Sequence, residues 1–223
     1  MTRDDAGKTL EDYPRPSVAV DTAVLTVPES GRPQLSVLLV RRDGTHRRGQ
    51  WVLPGTFIHV NETLTDAVLR ALRDKAHLEG LRPRQLHVFD DPSRDDRGWV
   101  LSVAHVDVVP HDRLTTALQA GCILEPVDTV AGLAFDHDAI VHMATQDVRS
   151  RYREHPDPDR LLPEPFTLLQ LQRLHEAVGG GELVKDTFRR SMQPHLVATG
   201  ELAEGTRGKP ARLWRHLATA GRR

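Results

Sequence analysis

Between Tyr152 and Pro165 the chain reads YREHPDPDRLLPEP, a run dense in proline and charge that marks a boundary between two differently patterned pieces. Upstream, Ser17 to Val27 and Gln34 to Val40 are rich in β-branched and aliphatic residues around the turn-forming PESGRP, and read as a strand pair. Trp51 to Phe57 is a short strand broken at Pro54-Gly55. The helix after it carries Leu64, Ala67, Val68, Ala71 and Leu72 on one face, with Thr63 and Asp66 as a capping box. Strands follow at 85–89 and 99–109, a further one is expected at 127–133, and a second helix is expected from Ala139 to Arg149. This is a mixed domain over residues 17–150, preceded by a polar arm at 1–16 that is expected to be disordered. Beyond the 151–165 linker, residues 166–223 give a different order. Thr167 to Val178 is a helix with Leu168, Leu171, Leu174 and Val178 on one side, the capping pair Thr167 and Gln170, and a Gly179-Gly180-Gly181 stop. A basic helix (182–192) and two strands (196–202 and 211–217) joined by EGTRGKP complete the pattern of a winged helix-turn-helix, so the whole chain is α+β.

Charge separates the same two pieces. The net charge of −1 averages ten basic against six acidic residues from Glu164 onward and 20 against 25 before it. A basic module on an acidic body suits a polyanion-binding appendage, and a merely solvated basic face is the alternative. No apolar run approaches the roughly 18 residues of a membrane helix, and the opening MTRDDAGKTLEDYPRP is polar, so the reading is cytoplasmic with no membrane partner. The single cysteine, Cys122, excludes an intrachain disulfide and a cysteine zinc cage. No paired His-Glu-x-x-His, nucleophile elbow or Walker loop occurs. His59, His137 and His142 read as surface or packing residues.

From Thr56 to Leu78 the chain resembles the box of the Nudix family, in which a glycine, a glutamate and an Arg-Glu-aliphatic-x-Glu-Glu-x-Gly-aliphatic helix follow at fixed spacing. The register is gapless: Thr56 stands at the glycine, Glu62 at the first glutamate, Arg70 at the arginine, and Leu72 and Leu78 at the aliphatic positions. The resemblance implies that three helix glutamates would hold Mg²⁺ or Mn²⁺ for pyrophosphate cleavage. Here they are Ala71, Asp74 and Lys75, and the second glycine is His77. Spaced i, i+3, i+4, these positions share a helix face, so one carboxylate remains and a cation stands where the metal would sit. The box is therefore read as degenerate, with no catalytic residue, no bound metal and no required cofactor. An active hydrolase working through Glu62, Asp74 and Glu79 is the competing reading. The same resemblance implies a nucleotide pocket bordered by Arg41 and Arg42 at the end of the second strand, Gly55, and the DDPSRDDRG loop with Asp91, Arg94, Asp96 and Arg97. Guanidinium groups there suit a diphosphate, and Trp51 and Phe57 suit adenine.

SRDDRGWVLSVAHV, LAFDHDAI, FTLLQLQRLHEAV, KDTFRR and GKPARLWR together resemble the Nudix-related transcriptional regulators of NAD metabolism. What the resemblance implies is a dimeric repressor of NAD biosynthesis or salvage genes that binds operator DNA and responds to ADP-ribose or a related nucleotide. In the residues themselves, a helix bearing Lys185, Thr187, Arg189 and Arg190 can enter a major groove, while Arg207, Lys209 and Arg212 grip the flanking backbone. Phe188 is expected to face inward. A winged helix can also serve protein contacts, and that alternative stays open at this point.

Overall fold

The computed structural model describes residues 2–29, 31–204 and 210–217. The body is organised around β1 (Ser17–Thr26), which pairs in parallel with β6 (Val100–Val108) along its length. On its other side β1 changes partner. Its last residues pair with β2 (Ser36–Arg41), whereas Ala19, Val20 and Asp21 pair antiparallel with β4 (Gly55–Phe57). That switch opens the sheet at the start of β1. β3 (Trp51–Val52) extends β2, β5 (Arg84–Phe89) closes the far edge on β6, and β7 (Ile123–Pro126) adds to β2.

Both faces of the sheet are covered, which is why β1 is buried without a break from Ala19 to Thr26 instead of alternating between buried and exposed positions. Val20 and Val24 pack with Val68 and Leu72 of α1 (Leu64–Ala76). Ala23 and Leu25, one residue out of phase, pack with Ile140, Ala144 and Val148 of α3 (His137–Glu154) on the other face. A small helix, α2 (Thr115–Gln119), precedes β7. α1 starts on its capping box, Thr63 Oγ1 accepting from the Asp66 amide at 3.2 Å. It ends at His77, whose φ of 54° is left-handed. The Leu78 amide reaches back to the Leu72 carbonyl at 3.1 Å, a Schellman closure. The second glycine position of the box is thus the residue at which the helix must turn left-handed, and a histidine occupies it here at a cost of about 1–2 kcal/mol.

The second piece has its own six-residue core of Phe166, Leu171, Phe188, Met192, Leu196 and Trp214. It combines α4 (Leu168–Gly179) and α5 (Lys185–Met192) with a three-stranded sheet of β8 (Phe166–Thr167), β10 (Arg212–His216) and β9 (Leu196–Leu202). α4 serves both cores. Leu171 faces the small one, while Leu174 and Val178 enter the body core beside α3, and the Leu35 amide donates to the Ala177 carbonyl at 3.0 Å. Two expected elements differ. The strand expected at 127–133 lies upstream at β7, because the Thr129 and Val130 amides turn back onto the Pro126 carbonyl. The helix expected at 139–149 extends from His137 to Glu154, since Tyr152 continues the buried stripe one turn past Val148. Residues 2–16 hold a hydrogen-bonded turn at Asp4–Gly7, a 3-10 turn at Leu10–Asp12 and no buried side chain. Among the described residues no helix is long and apolar enough to cross a membrane.

Candidate functional site

The opening at the start of β1 leads into a cavity of about 470 Å³, within the range of small-molecule sites. Its floor is Asp21, a buried carboxylate and the one charged residue of β1. Ser102 Oγ donates to Asp21 Oδ2 at 2.6 Å, His137 Nε2 lies 3.4 Å from Oδ1, and an Arg94 nitrogen lies 3.5 Å from Oδ2. Burial acts to raise the Asp21 pKa, but His137, Ser102 and Arg94 outweigh it and hold the group at about 2. Arg94 is itself buried and gives Asp136 a two-pronged ion pair at 2.8 and 2.6 Å. His137 Nδ1 accepts from the Leu53 amide at 3.0 Å.

Gly55 pairs directly with Asp21, and there is no room there for a side chain. A Cβ on Gly55 would fall 1.9 Å from Asp21 Oδ1 and 2.7 Å from the Val20 carbonyl oxygen. Backbone cannot yield as a flexible side chain can, so Gly55→Ala is expected to lower stability by about 1–3 kcal/mol and to weaken ligand binding by distorting the floor. Urea unfolding and ligand calorimetry on the variant check both. Wild-type values in the two would show that β4 slides freely.

Of the residues expected to border a nucleotide, the cavity brings together Arg41, Arg42, Gly55, Phe57, Arg94 and Arg97. Trp51 and Asp91 are not among its lining. Trp51 pairs with Arg41 across β3 and packs toward the α3 core, and Asp91 caps its own turn by accepting from the Ser93 amide and hydroxyl at 2.7 Å. Asp96 faces His46 and Arg47 at 3.0 and 3.4 Å. The guanidiniums differ in availability. Arg94 is engaged by Asp136, and Arg97 by Asp95 at 2.6 Å, whereas Arg41 and Arg42 have no carboxylate partner among the described residues. Phe135, absent from the sequence reading as a site residue, lies near three guanidiniums, those of Arg42, Arg47 and Arg97, at 5.0 to 5.5 Å from its ring centre. Its backbone is left-handed at φ 62°, a strained state for a bulky residue. His137, read from sequence as a surface or packing residue, is buried and lines the cavity.

The box side chains do not form a cradle for a divalent ion. Glu62 is held by Arg70 at 2.7 and 2.8 Å and by the His59 amide, which together set its pKa at about 2. Asp74 accepts from the neighbouring Arg73 at 2.9 Å, and Ala71 is buried. Lys75 donates to the Gly55 carbonyl; burial and the nearby Arg42 lower its pKa. A cation therefore stands at the metal position, the one remaining helix carboxylate, Asp74, is paired with Arg73, and the residues present do not fit Mg²⁺ or Mn²⁺. His46, Asp95 and Asp96 bring ligand atoms within 4.8 Å of one another, but the two carboxylates are already paired with arginines.

On the second piece, α5 turns Phe188 and Met192 into the core and leaves Lys185, Thr187, Arg189 and Arg190 exposed. Arg189 is steadied by Gln193 at 3.0 Å and Arg190 by the Asp186 carbonyl at 3.3 Å. Arg212 is exposed at the start of β10. Arg207 and Lys209 lie outside the described residues.

Comparison with known proteins matches both pieces. The NUDIX domain family matches residues 18–147, and the NrtR DNA-binding winged helix domain matches residues 159–216. The chain is 29% identical over 211 residues to a protein of Acinetobacter baylyi described as the ADPR responsive transcriptional repressor NtrR, covering 92% of this chain and 83% of that one. It is similar to the crystal structure of Shewanella oneidensis NrtR complexed with a 27mer DNA, at 30% identity and a TM-score of 0.74, over 90% of this chain and 93% of that one. The NUDIX domain of the same Shewanella protein, crystallised with ADP ribose, is 27% identical with a TM-score of 0.54 over 64% of this chain and 95% of that one.

Proposed function

This chain belongs to the NrtR family, a Nudix domain joined to an NrtR winged helix DNA-binding domain, and from that premise we propose that it is an ADP-ribose-responsive repressor of NAD biosynthesis or salvage genes. The observation that carries the reading is a pocket equipped to bind and not to cleave. Arg41 and Arg42 are available for a diphosphate, Phe57 and Phe135 offer aromatic surface, and Ala71 and Lys75 replace two of three box carboxylates. In this reading the Nudix body senses ADP-ribose without turning it over.

The DNA side follows from α5. Its exposed face can lie in a major groove, Arg189 and Arg190 reaching base edges or phosphates, with Lys185 and Thr187 beside them and Arg207, Lys209 and Arg212 on the flanking backbone. A single module of this size reads few base pairs, so the protein acts as a homodimer on a two-fold symmetric operator. Within each protomer, α3 leads from the pocket, where Asp136 holds Arg94 and His137 lines the cavity, to the linker before the winged helix.

The experiment is a titration of duplexes from the promoters of the NAD genes of its own genome. Arg189→Ala or Arg190→Ala is expected to cost about 1–3 kcal/mol of binding if the side chain reads a base. Lys209→Ala is expected to weaken all sequences alike and to flatten the salt dependence. Unchanged affinity in all three variants would remove α5 and the β9–β10 turn from the DNA interface.

A further inference from the structure

We propose that Asp157 is the positioning residue of the domain joint: its buried carboxylate fixes the winged helix against the sensing body, and without it a nucleotide bound in the body no longer changes DNA affinity. The proposal rests on the reading of the chain as an ADP-ribose-responsive repressor and adds the residue through which the response passes.

Asp157 sits in the linker and is fully buried. Its Oδ1 accepts from the Tyr152 hydroxyl at 3.1 Å and from the Leu161 amide at 2.8 Å, and its Oδ2 accepts from the Leu162 amide at 2.8 Å. Its own amide donates to His175 Nε2 at 3.3 Å, and His216 Nε2 lies 3.9 Å from Oδ2. One residue thus joins the last turn of α3, the linker, α4 and the wing strand β10. Burial lowers the His175 pKa to about 4, which keeps that nitrogen a neutral acceptor at pH 7. The Asp157 backbone is left-handed at φ 42°, a conformation that aspartate tolerates better than most residues.

These partners belong to parts that would move differently if the winged helix reoriented. Tyr152 is carried by α3 of the body, the Leu161 and Leu162 amides by the segment leading into β8, His216 by β10, and His175 by α4, which packs in both cores. A rotation that draws Tyr152 away from the Leu161–Leu162 segment takes a donor from the buried carboxylate, and one that moves His175 leaves the buried Asp157 amide without its acceptor; either is costly. The joint therefore favours discrete arrangements over a continuum, the property a coupling element requires. On either side it is continuous with the two sites. From His137 in the cavity wall to Tyr152, α3 spans about 22 Å at 1.5 Å per residue. The Tyr152 ring meets His175 edge-on at 5.1 Å, and His175 meets Phe188 of α5 edge-on at 4.9 Å.

The test uses the full chain and two substitutions outside both binding sites, Asp157→Asn and Tyr152→Phe. For each, ADP-ribose affinity is measured by calorimetry, and affinity for a promoter duplex is measured with and without saturating ADP-ribose. The wild-type ratio of the two DNA dissociation constants is expected at about 5- to 150-fold. In Asp157→Asn the ratio is expected to fall toward one while ADP-ribose binds as tightly as before. A merely structural residue would weaken both affinities together and leave the ratio standing, and a wild-type ratio in the folded variant overturns the proposal. Should Asp157→Asn not fold, Tyr152→Phe decides, since it removes one donor and keeps the ring: a reduced ratio supports the latch and an unchanged one refutes it. A ratio of one in the wild type overturns the parent reading, and the proposal with it.

Discussion

Replacing Arg94 with alanine is expected to destabilise the folded protein by about 3–5 kcal/mol, the cost of removing one partner from a buried ion pair. The guanidinium side chain is 3% exposed and stands between Asp136 and Asp21, both of which lose their cation in the variant. Asp21 keeps Ser102 and His137 beside it, but its buried carboxylate is held ionised partly by Arg94. Denaturant unfolding of Arg94→Ala measures the loss. A change under about 1 kcal/mol, the size of an exposed pair, would mean that Asp21 and Asp136 are satisfied without it. Sequence reasoning assigned Arg94 to the ligand, and the geometry makes it first a support for the cavity floor.

Phe166→Ala is expected to cost about 3–5 kcal/mol and to abolish DNA binding while ADP-ribose still binds. Phe166 is 1% exposed and is the largest fully buried side chain of a core that holds six buried residues among the described ones. Phe188, which anchors α5, belongs to that same small cluster, whereas the cavity is built on the two body clusters. α4 keeps its hold on the body through Leu174 and Val178, so the loss is confined to α5 and the strands. DNA titration and ligand calorimetry on one preparation check it, and undiminished DNA affinity would show that α5 holds its shape without that core. Deleting everything after Pro163 is a poorer test, because it would also strip Leu174 and Val178 from the body.

Local signals carried most of the fold. The capping boxes at Thr63 and Thr167, the Gly180 stop and the apolar stripes of α1 and α4 each lie within a few residues of what they specify. The box register was legible from its gapless spacing, whereas Arg41, Arg42, Gly55, Phe57 and Arg97 were pointed to by the resemblance, and all five line the cavity. Asp21, the one charge inside SVAVDTAVLT, went unremarked in the sequence, because its partners Ser102, Arg94 and His137 come from distant strands and loops that only the closed sheet brings together. Phe135 and His137 lay in LAFDHDAI without any local pattern to mark them, since a left-handed φ at phenylalanine arises from its surroundings. Trp51 looked like a nucleobase partner because nothing in the sequence says which face of β3 meets the α3 core. The double role of α4 was hidden for the same reason: Leu171, Leu174 and Val178 form one stripe in sequence and divide between two cores in space.

The central claim is that ADP-ribose is a signal for this protein and not a substrate. It is tested most directly by adding ADP-ribose, with Mg²⁺ present, to the complex of the protein with a labelled promoter duplex, while following both the DNA dissociation constant and the ADP-ribose concentration. The account predicts that the dissociation constant rises about 5- to 150-fold and that ADP-ribose is recovered intact. A dissociation constant that stays put while the ligand is bound, or consumption of ADP-ribose at enzymatic rates of roughly 1 per second or more, would contradict it.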